Sequence, residues 1–213
     1  MAEKIRLVYL DEEQGWQSQA YAALNVDFDL HIPENLPHNI ECLWSEIKDF
    51  NADAILIDYR LNESGEVAYT GDEVIKEIHK HNKHLPMFII TSYEDNALIE
   101  CKEAEIIRGK ELLADADKVE KLKKIIIASV NKYEVRKASA EAVLISLQAK
   151  VQKGDILSND DESNKFNAEL YLSELDLDSN VRTNLITSKS NRDIEDILNM
   201  ADRKSTRLNS RSR

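Results

Sequence analysis

The sequence predicts a doubly wound α/β fold, in which helices cover both faces of a parallel β-sheet. Short apolar runs alternate with amphipathic segments through the first half of the chain. Within Ala52–Leu61, the unbroken run of Ile55, Leu56 and Ile57 is typical of a central strand buried on both faces. Only 5 Gly and 3 Pro are present, which argues against a loop-rich all-β protein.

The first part of the chain predicts three strands separated by two helices. The strand candidates are Lys4–Leu10, an alternating and half-exposed edge strand at Val26–Ile32, and the central strand that ends at Asp58. Apolar residues recur at helical spacing in Gln14–Leu24 and Leu36–Phe50. This order of elements is that of consecutive βαβ units.

The next part continues the alternation and completes the sheet. It predicts, in order, a polar loop at Tyr59–Thr70, a helix at Gly71–His81, a strand at Leu85–Ile90, a helix at Glu94–Glu103 and a strand at Ala104–Ile107. We therefore expect a five-stranded, flavodoxin-like parallel sheet with strand order 2-1-3-4-5.

Beyond Asp115 the pattern becomes helical. Asp117–Lys153 contains no Gly or Pro, and we expect either one long helix or two helices with a break near Ala138, with Asp115 or Asp117 as N-cap. We interpret Asp155–Lys165 as a flexible acidic loop, in which Asn159–Glu162 is only a linker, before short helices at Phe166–Leu175 and Asn191–Met200. The expected organisation is a domain at 1–130, a helical region at 131–201 and a tail at 202–213, which resembles a translated sequencing adapter.

Composition limits the classes of function. A formal charge of −12 disfavours a nucleic-acid surface across the whole chain. Cys42 and Cys101 lack the spacing of a metal site, and the N-terminal apolar run is too short for a signal sequence or a membrane span. We expect a cytoplasmic protein without nucleic-acid or membrane partners.

Polar residues follow the predicted strands where their carboxyl ends meet. Asp11 and Glu12 follow the first strand, Asp58 the third, Thr91 the fourth, and Lys110 comes shortly after the fifth. Ligands bind at this edge where the winding of the sheet reverses, between strands one and three. Three converging acids favour Mg²⁺, and a carboxylate such as Asp58 can attack a phosphoryl group. A lone Asp at this place could also simply begin a turn.

These residues, in this order, resemble the receiver domain of two-component response regulators over about Lys4–Val130. The resemblance implies that Asp58 accepts phosphate from a histidine kinase or phosphotransfer protein. It implies that Glu12, Asp58 and the carbonyl of Arg60 bind Mg²⁺, with Asp11 acting through water. Thr91 would be the switch hydroxyl and Lys110 the phosphate-binding ammonium.

The sequence also departs from the family pattern. Glu111 follows Lys110 where the family usually has proline, and Arg108 and Gly109 separate Lys110 from the predicted strand, so Arg108 could take its role. We expect signalling through protein contacts, including a homodimer through the long helix, rather than catalysis on an external substrate. The alternative is a degenerate receiver that acts as a scaffold without phosphorylation.

Overall fold

The computed structural model describes residues 4–92 and 106–175. The chain divides into two compact units, between Ser139 and Ala140. No helix in the described part of the chain has the length and hydropathy needed to cross a bilayer. The predicted helices Glu94–Glu103 and Asn191–Met200 and the tail at 202–213 lie outside the described residues.

The first unit contains a five-stranded parallel sheet with strand order β2-β1-β3-β4-β5, as predicted. Its strands are β1 (Arg6–Leu10), β2 (Asp29–His31), β3 (Ala54–Ile57), β4 (Met87–Thr91) and β5 (Ile106–Gly109). Helices α1 (Gln14–Leu24), α2 (Ile40–Asp49) and α3 (Gly71–His81) connect them, and the long helix α4 (Ala116–Gln152) begins in this unit after a 3₁₀ turn at Lys110–Ala114.

Two apolar layers hold helices against the two faces of the sheet. On one face, α2 and α3 contribute Leu43, Ile47 and Val74 to a cluster with β-strand residues. On the other face, α1 and the first turns of α4 pack around Leu56 and Phe88. Residues 55–57 of β3 are fully buried, because both faces of this central strand are covered.

Several predicted boundaries were wrong for local reasons. The edge strand is short, since the backbone N–H groups of Asp27 and Phe28 still donate to Leu24 and continue the turn after α1. Helix α2 starts later than predicted because the Asn39 side chain caps it, accepting from the Glu41 N–H at 2.7 Å. The loop after β3 is less polar than expected, since Leu61 and Tyr69 are buried in the core.

Helix α4 is a single continuous helix, so a break near Ala138 does not occur. Asp115 is its N-terminal cap: Oδ1 accepts hydrogen bonds from the Asp117 and Lys118 N–H groups at 3.1 and 3.2 Å. Gly154 ends it in the left-handed conformation with φ of 85°. The Asp155 N–H then donates to the Lys150 carbonyl at 3.1 Å, which is the hydrogen-bond pattern of a Schellman motif.

The second unit corrects the prediction of an acidic loop and linker. Helix α5 (Asn159–Ser173) begins within that stretch, where Ser158 and Asp161 form a capping box. The acidic residues occupy its first turn, where they are favourable to the helix dipole. Lys150 of α4 also pairs with Asp161 at 2.7 Å. Buried residues of this unit include Leu147, Ala168 and Leu172.

Candidate functional site

Parallel pairing of β1 with β3 brings the first acids of the chain beside Asp58. Leu10 is in register with Ile57, and the Asp58 N–H donates to the Leu10 carbonyl at 2.8 Å. The next residue on each strand is therefore an acid at the carboxyl edge of the sheet. One carboxylate oxygen from each of Asp11, Glu12 and Asp58 lies within 4.8 Å of the others.

Asp11 is held by three donors and is almost fully buried, with 1% of its surface exposed. Its Oδ2 accepts the hydroxyl of Tyr9 at 2.5 Å and lies 3.0 Å from the Lys110 ammonium. Its Oδ1 accepts the Glu13 N–H at 2.9 Å. The Asp11 carbonyl also accepts the Gln17 amide at 2.7 Å, which ties α1 to the site. The carboxylate is therefore fixed in position.

Lys110 is the cation of the site, with 2% of its side chain exposed. Its Nζ lies 3.1 Å from Asp58 Oδ2 and 3.4 Å from Glu13 Oε1. The Trp16 ring lies beside it, with Nζ 5.7 Å from the ring centroid. A lysine buried to this extent requires partners of opposite charge, and three carboxylates supply them here.

The strand that precedes Lys110 ends two residues later than predicted. Strand β5 runs to Gly109 because Ile90 pairs with Arg108 and Thr91 with Gly109. Lys110 therefore follows the strand directly, and Arg108 is an exposed residue within it. The structure brings Lys110, and not Arg108, to Asp58.

Thr91 and Arg60 complete the set of predicted site residues. Thr91 is fully buried at the end of β4, and a hydrogen bond from its side chain acts to lower the pKa of Asp58. Arg60 is half-buried in the turn after Asp58, and its carbonyl accepts the Glu63 N–H at 3.4 Å. The assignment of that carbonyl as a metal ligand stays a prediction.

Burial, together with repulsion between carboxylates, raises the proton affinity of Asp58 and Glu12. Burial, with the charge of Asp11, raises the pKa of Asp58 to about 6, although Lys110 and Thr91 act in the opposite direction. Burial and the charges of Asp58 and Asp11 raise the pKa of Glu12 to about 7. Burial also acts to lower the pKa of Lys110, but its two carboxylate partners outweigh it, so the net shift is upward.

Comparison with known proteins identifies the fold. A signal receiver domain of an HD domain-containing protein from Pseudomonas fluorescens superposes with a TM-score of 0.50 and 12% identity, over 63% of this chain and 93% of that one. The chain has the fold of a receiver domain. NtrX from Brucella abortus, solved in complex with ADP, matches with a TM-score of 0.52 and 14% identity, over 70% of this chain but only 34% of NtrX.

No protein-family model matches the sequence, and no curated protein matches it significantly. At identities this low, structural likeness establishes the fold, and the chemistry has to be argued from the residues. A helical extension, formed by the later part of α4 and by α5, follows the receiver fold.

The acid cluster of this receiver fold fits a hard divalent cation. Among the described residues, Asp58 Oδ1 and Glu12 Oε2 are buried side-chain oxygens without a hydrogen-bond partner. Buried carboxylate oxygens left in this way are costly, and a cation would satisfy both. A donor set made only of oxygen atoms suits Mg²⁺. Glu12 and Asp58 would hold the ion, and Asp11 belongs to the same cluster of carboxylates.

Sequence reasoning missed the roles of two residues at the site. The predicted strand Lys4–Leu10 includes Tyr9 only as a strand residue, yet Tyr9 lies two positions before Asp11, and residues at that spacing share a face of a strand. Trp16 falls within the predicted helix Gln14–Leu24, and its ring lies beside the Lys110 ammonium. Spacing could have indicated the first, whereas the second depends on where β5 places Lys110.

Proposed function

We propose that this chain is a response-regulator-like receiver that accepts a phosphoryl group on Asp58 in a phosphorelay. The observation that carries the proposal is the juxtaposition of Asp58 with Asp11, Glu12 and Lys110 at the carboxyl edge of the sheet. A histidine kinase or phosphotransfer protein in the cytoplasm is the donor. The output is protein–protein contact, and the helical extension is the region that supplies it.

The chemistry follows from the positions of the side chains. A carboxylate oxygen of Asp58 attacks phosphorus, the new O–P bond forms an acyl phosphate, and the bond to the leaving group breaks with its electron pair. With its pKa at about 6, Asp58 is mostly ionised at neutral pH and can act as the nucleophile. Bound Mg²⁺ would supply charge stabilisation to the phosphoryl oxygens.

Two further side chains of the protein stabilise the transferred group. The Lys110 ammonium lies 3.1 Å from Asp58. It pairs with the carboxylate before transfer and can stabilise the negative charge of the phosphoryl oxygens after it. The buried Thr91 hydroxyl, at the end of the neighbouring strand, can donate a hydrogen bond to the same oxygens. A change in this contact would bias the surface near β4 and β5 between two arrangements.

Phosphorylation by acetyl phosphate in the presence of Mg²⁺ tests the proposal. Intact-mass spectrometry should show one added phosphoryl group, labile to hydroxylamine as expected of an acyl phosphate. Asp58→Asn should not gain it, whereas Asp29→Asn, which changes an exposed Asp on β2, should behave as the original protein. Phosphate retained by Asp58→Asn, or none in the original protein, would contradict the proposal.

Binding of beryllofluoride provides a second measurement. A titration with Mg²⁺ and beryllofluoride, followed by amide spectra, should perturb residues around Asp58, Thr91 and Lys110. Size-exclusion chromatography of the same samples reports whether association changes, which tests output through a homodimer. Without any response to the phosphoryl mimic, a phosphorylation-independent scaffold would be the better account of this chain.

A further inference from the structure

Tyr9 carries a buried hydroxyl that the chemistry above does not use. Its side chain is fully buried in β1, within the apolar cluster that includes Leu56 and Phe88. A hydroxyl in such surroundings needs a partner, and its partner here is Asp11 Oδ2 at 2.5 Å. The residue type is therefore matched to the acid two positions further along the strand.

The same Asp11 oxygen is shared by two donors. Tyr9 Oη approaches Oδ2 at 2.5 Å and Lys110 Nζ approaches it at 3.0 Å. Lys110 also lies 3.1 Å from Asp58, so its ammonium is divided between two carboxylates. The Tyr9 hydroxyl satisfies part of the hydrogen-bonding capacity of the Asp11 carboxylate. It therefore limits how strongly Asp11 can attract the Lys110 ammonium away from Asp58.

We propose that Tyr9 is a positioning residue of the phosphoryl-acceptor site, which acts through Asp11 to keep Lys110 placed against Asp58. This inference rests on the proposed function. Tyr9 does not touch the reacting atoms. It sets the orientation and the hydrogen-bonding capacity of Asp11, and Asp11 in turn sets the place of the ammonium that must follow the transferred charge.

Replacing Tyr9 with Phe removes only the hydroxyl. Asp11 Oδ2 then has Lys110 as its remaining donor, so the ammonium moves toward Asp11 and its contact with Asp58 weakens. We expect the maximal rate of phosphorylation by acetyl phosphate to fall about tenfold, the size of effect that follows loss of one hydrogen bond to a charged group. Mg²⁺ affinity should change by less than about twofold, because the unpartnered oxygens belong to Glu12 and Asp58.

Tyr69→Phe is the matched control. The Tyr69 hydroxyl is part-buried and, like that of Tyr9, donates to a single acceptor, here the Pro37 carbonyl at 2.6 Å. It lies in the loop before α3 and takes no part in the acid cluster, so Tyr69→Phe should phosphorylate at the original rate. Urea denaturation of both variants establishes that each is folded.

A double-mutant cycle with Asp11→Asn separates positioning from packing. If Tyr9 acts through Asp11, Tyr9→Phe weakens beryllofluoride binding in the original protein but not in the Asp11→Asn background. An equal loss in both backgrounds would mean that Tyr9 only packs, and the inference would be wrong. A Tyr9→Phe variant as fast as the original protein would overturn it too, leaving the proposed function intact. Failure of the original protein and of Tyr69→Phe to accept phosphate would instead remove the proposed function, and this inference with it.

Discussion

The ammonium of Lys110 lies 3.1 Å from Asp58 and 3.0 Å from Asp11, with almost none of the lysine side chain exposed. One cation therefore compensates two buried carboxylates at the point where β1 and β3 end. Removing one member of such a group leaves uncompensated charge in a region from which water is excluded.

We expect Lys110→Ala to lower the free energy of unfolding by about 3 kcal/mol at pH 8 without Mg²⁺, because two ionised carboxylates lose their counter-charge. Added Mg²⁺ should restore part of that loss, and phosphorylation should be abolished. Urea denaturation with and without Mg²⁺ measures the first two effects.

Lys76→Ala is the control: Lys76 is 56% exposed and pairs with Asp72 on the surface of α3, so its loss should cost less than about 1 kcal/mol. Equal stability of the Lys110 and Lys76 variants would contradict this account.

Stability should depend on pH through Asp58. Its pKa is raised from 3.8 to about 6, so the folded protein binds this proton more tightly than the unfolded chain does. The stabilisation from the proton is complete below about pH 3.8 and is lost as pH rises through about 6. For a shift of this size the loss is on the order of 2 to 3 kcal/mol.

The measurement is the difference in unfolding free energy between the original protein and Asp58→Asn, followed from pH 4 to pH 8 in the absence of Mg²⁺. The original protein should lose stability relative to the variant across this range. Saturating Mg²⁺ should reverse the trend, since a cation favours ionised carboxylates. Asp29→Asn, which changes an exposed carboxylate, should run parallel to the original protein at every pH. A flat difference curve for Asp58→Asn would show that Asp58 has an ordinary proton affinity.

The sequence predicted the parts of the fold that depend on local patterns. Helices α1 and α3 have the predicted bounds, and the apolar run of β3 indicated its central place, because a strand covered on both faces needs apolar residues at every position. Features set by pairing with a distant segment were harder to predict. The extension of β5 to Gly109 comes from its pairing with β4, and only that extension decides between Arg108 and Lys110. The high charge of Asn159–Glu162 favoured the prediction of a linker, whereas the Ser158 capping box starts a helix there.

That capping box should be necessary for the start of α5. The Ser158 side chain accepts the Asp161 N–H at 3.2 Å, and the Asp161 carboxylate accepts the Ser158 N–H at 3.2 Å. Ser158→Ala removes one of these bonds and should destabilise the first turn by about 1 kcal/mol. Hydrogen exchange of the amides of α5 measures the effect.

Ser146→Ala is the matched control for this prediction. Ser146 is exposed within α4, and its hydroxyl donates to the Val143 carbonyl at 2.9 Å, a bond to a backbone group that the helix already satisfies. Its replacement by Ala should leave hydrogen exchange of the α5 amides unchanged. Exchange of the α4 amides should stay the same or slow slightly, because Ala has the higher helix propensity. Equal exchange in the two variants would mean that the capping box contributes nothing to α5.

Gly71, the first residue of α3, lies against the backbone of Asp58. A Cβ atom at residue 71 would lie 2.2 Å from the Asp58 carbonyl oxygen and 3.1 Å from the Ile57 Cγ2 atom. The Gly71 N–H also donates to the Tyr59 carbonyl at 2.9 Å, so the start of α3 is fixed against the turn that follows Asp58. Gly71→Ala must push this backbone apart, at a cost of about 2 kcal/mol in unfolding free energy. It should also slow phosphorylation, because Asp58 moves with the turn.

Gly15→Ala is the control, since a Cβ atom there meets nothing within 4 Å. Placed within α1, it should stabilise the protein by roughly 0.5 kcal/mol through the lower entropy of its unfolded chain, without changing the rate. Urea denaturation and acetyl phosphate kinetics on both variants test the pair, and a Gly71→Ala protein as stable and as fast as Gly15→Ala would show that the helix start does not constrain Asp58.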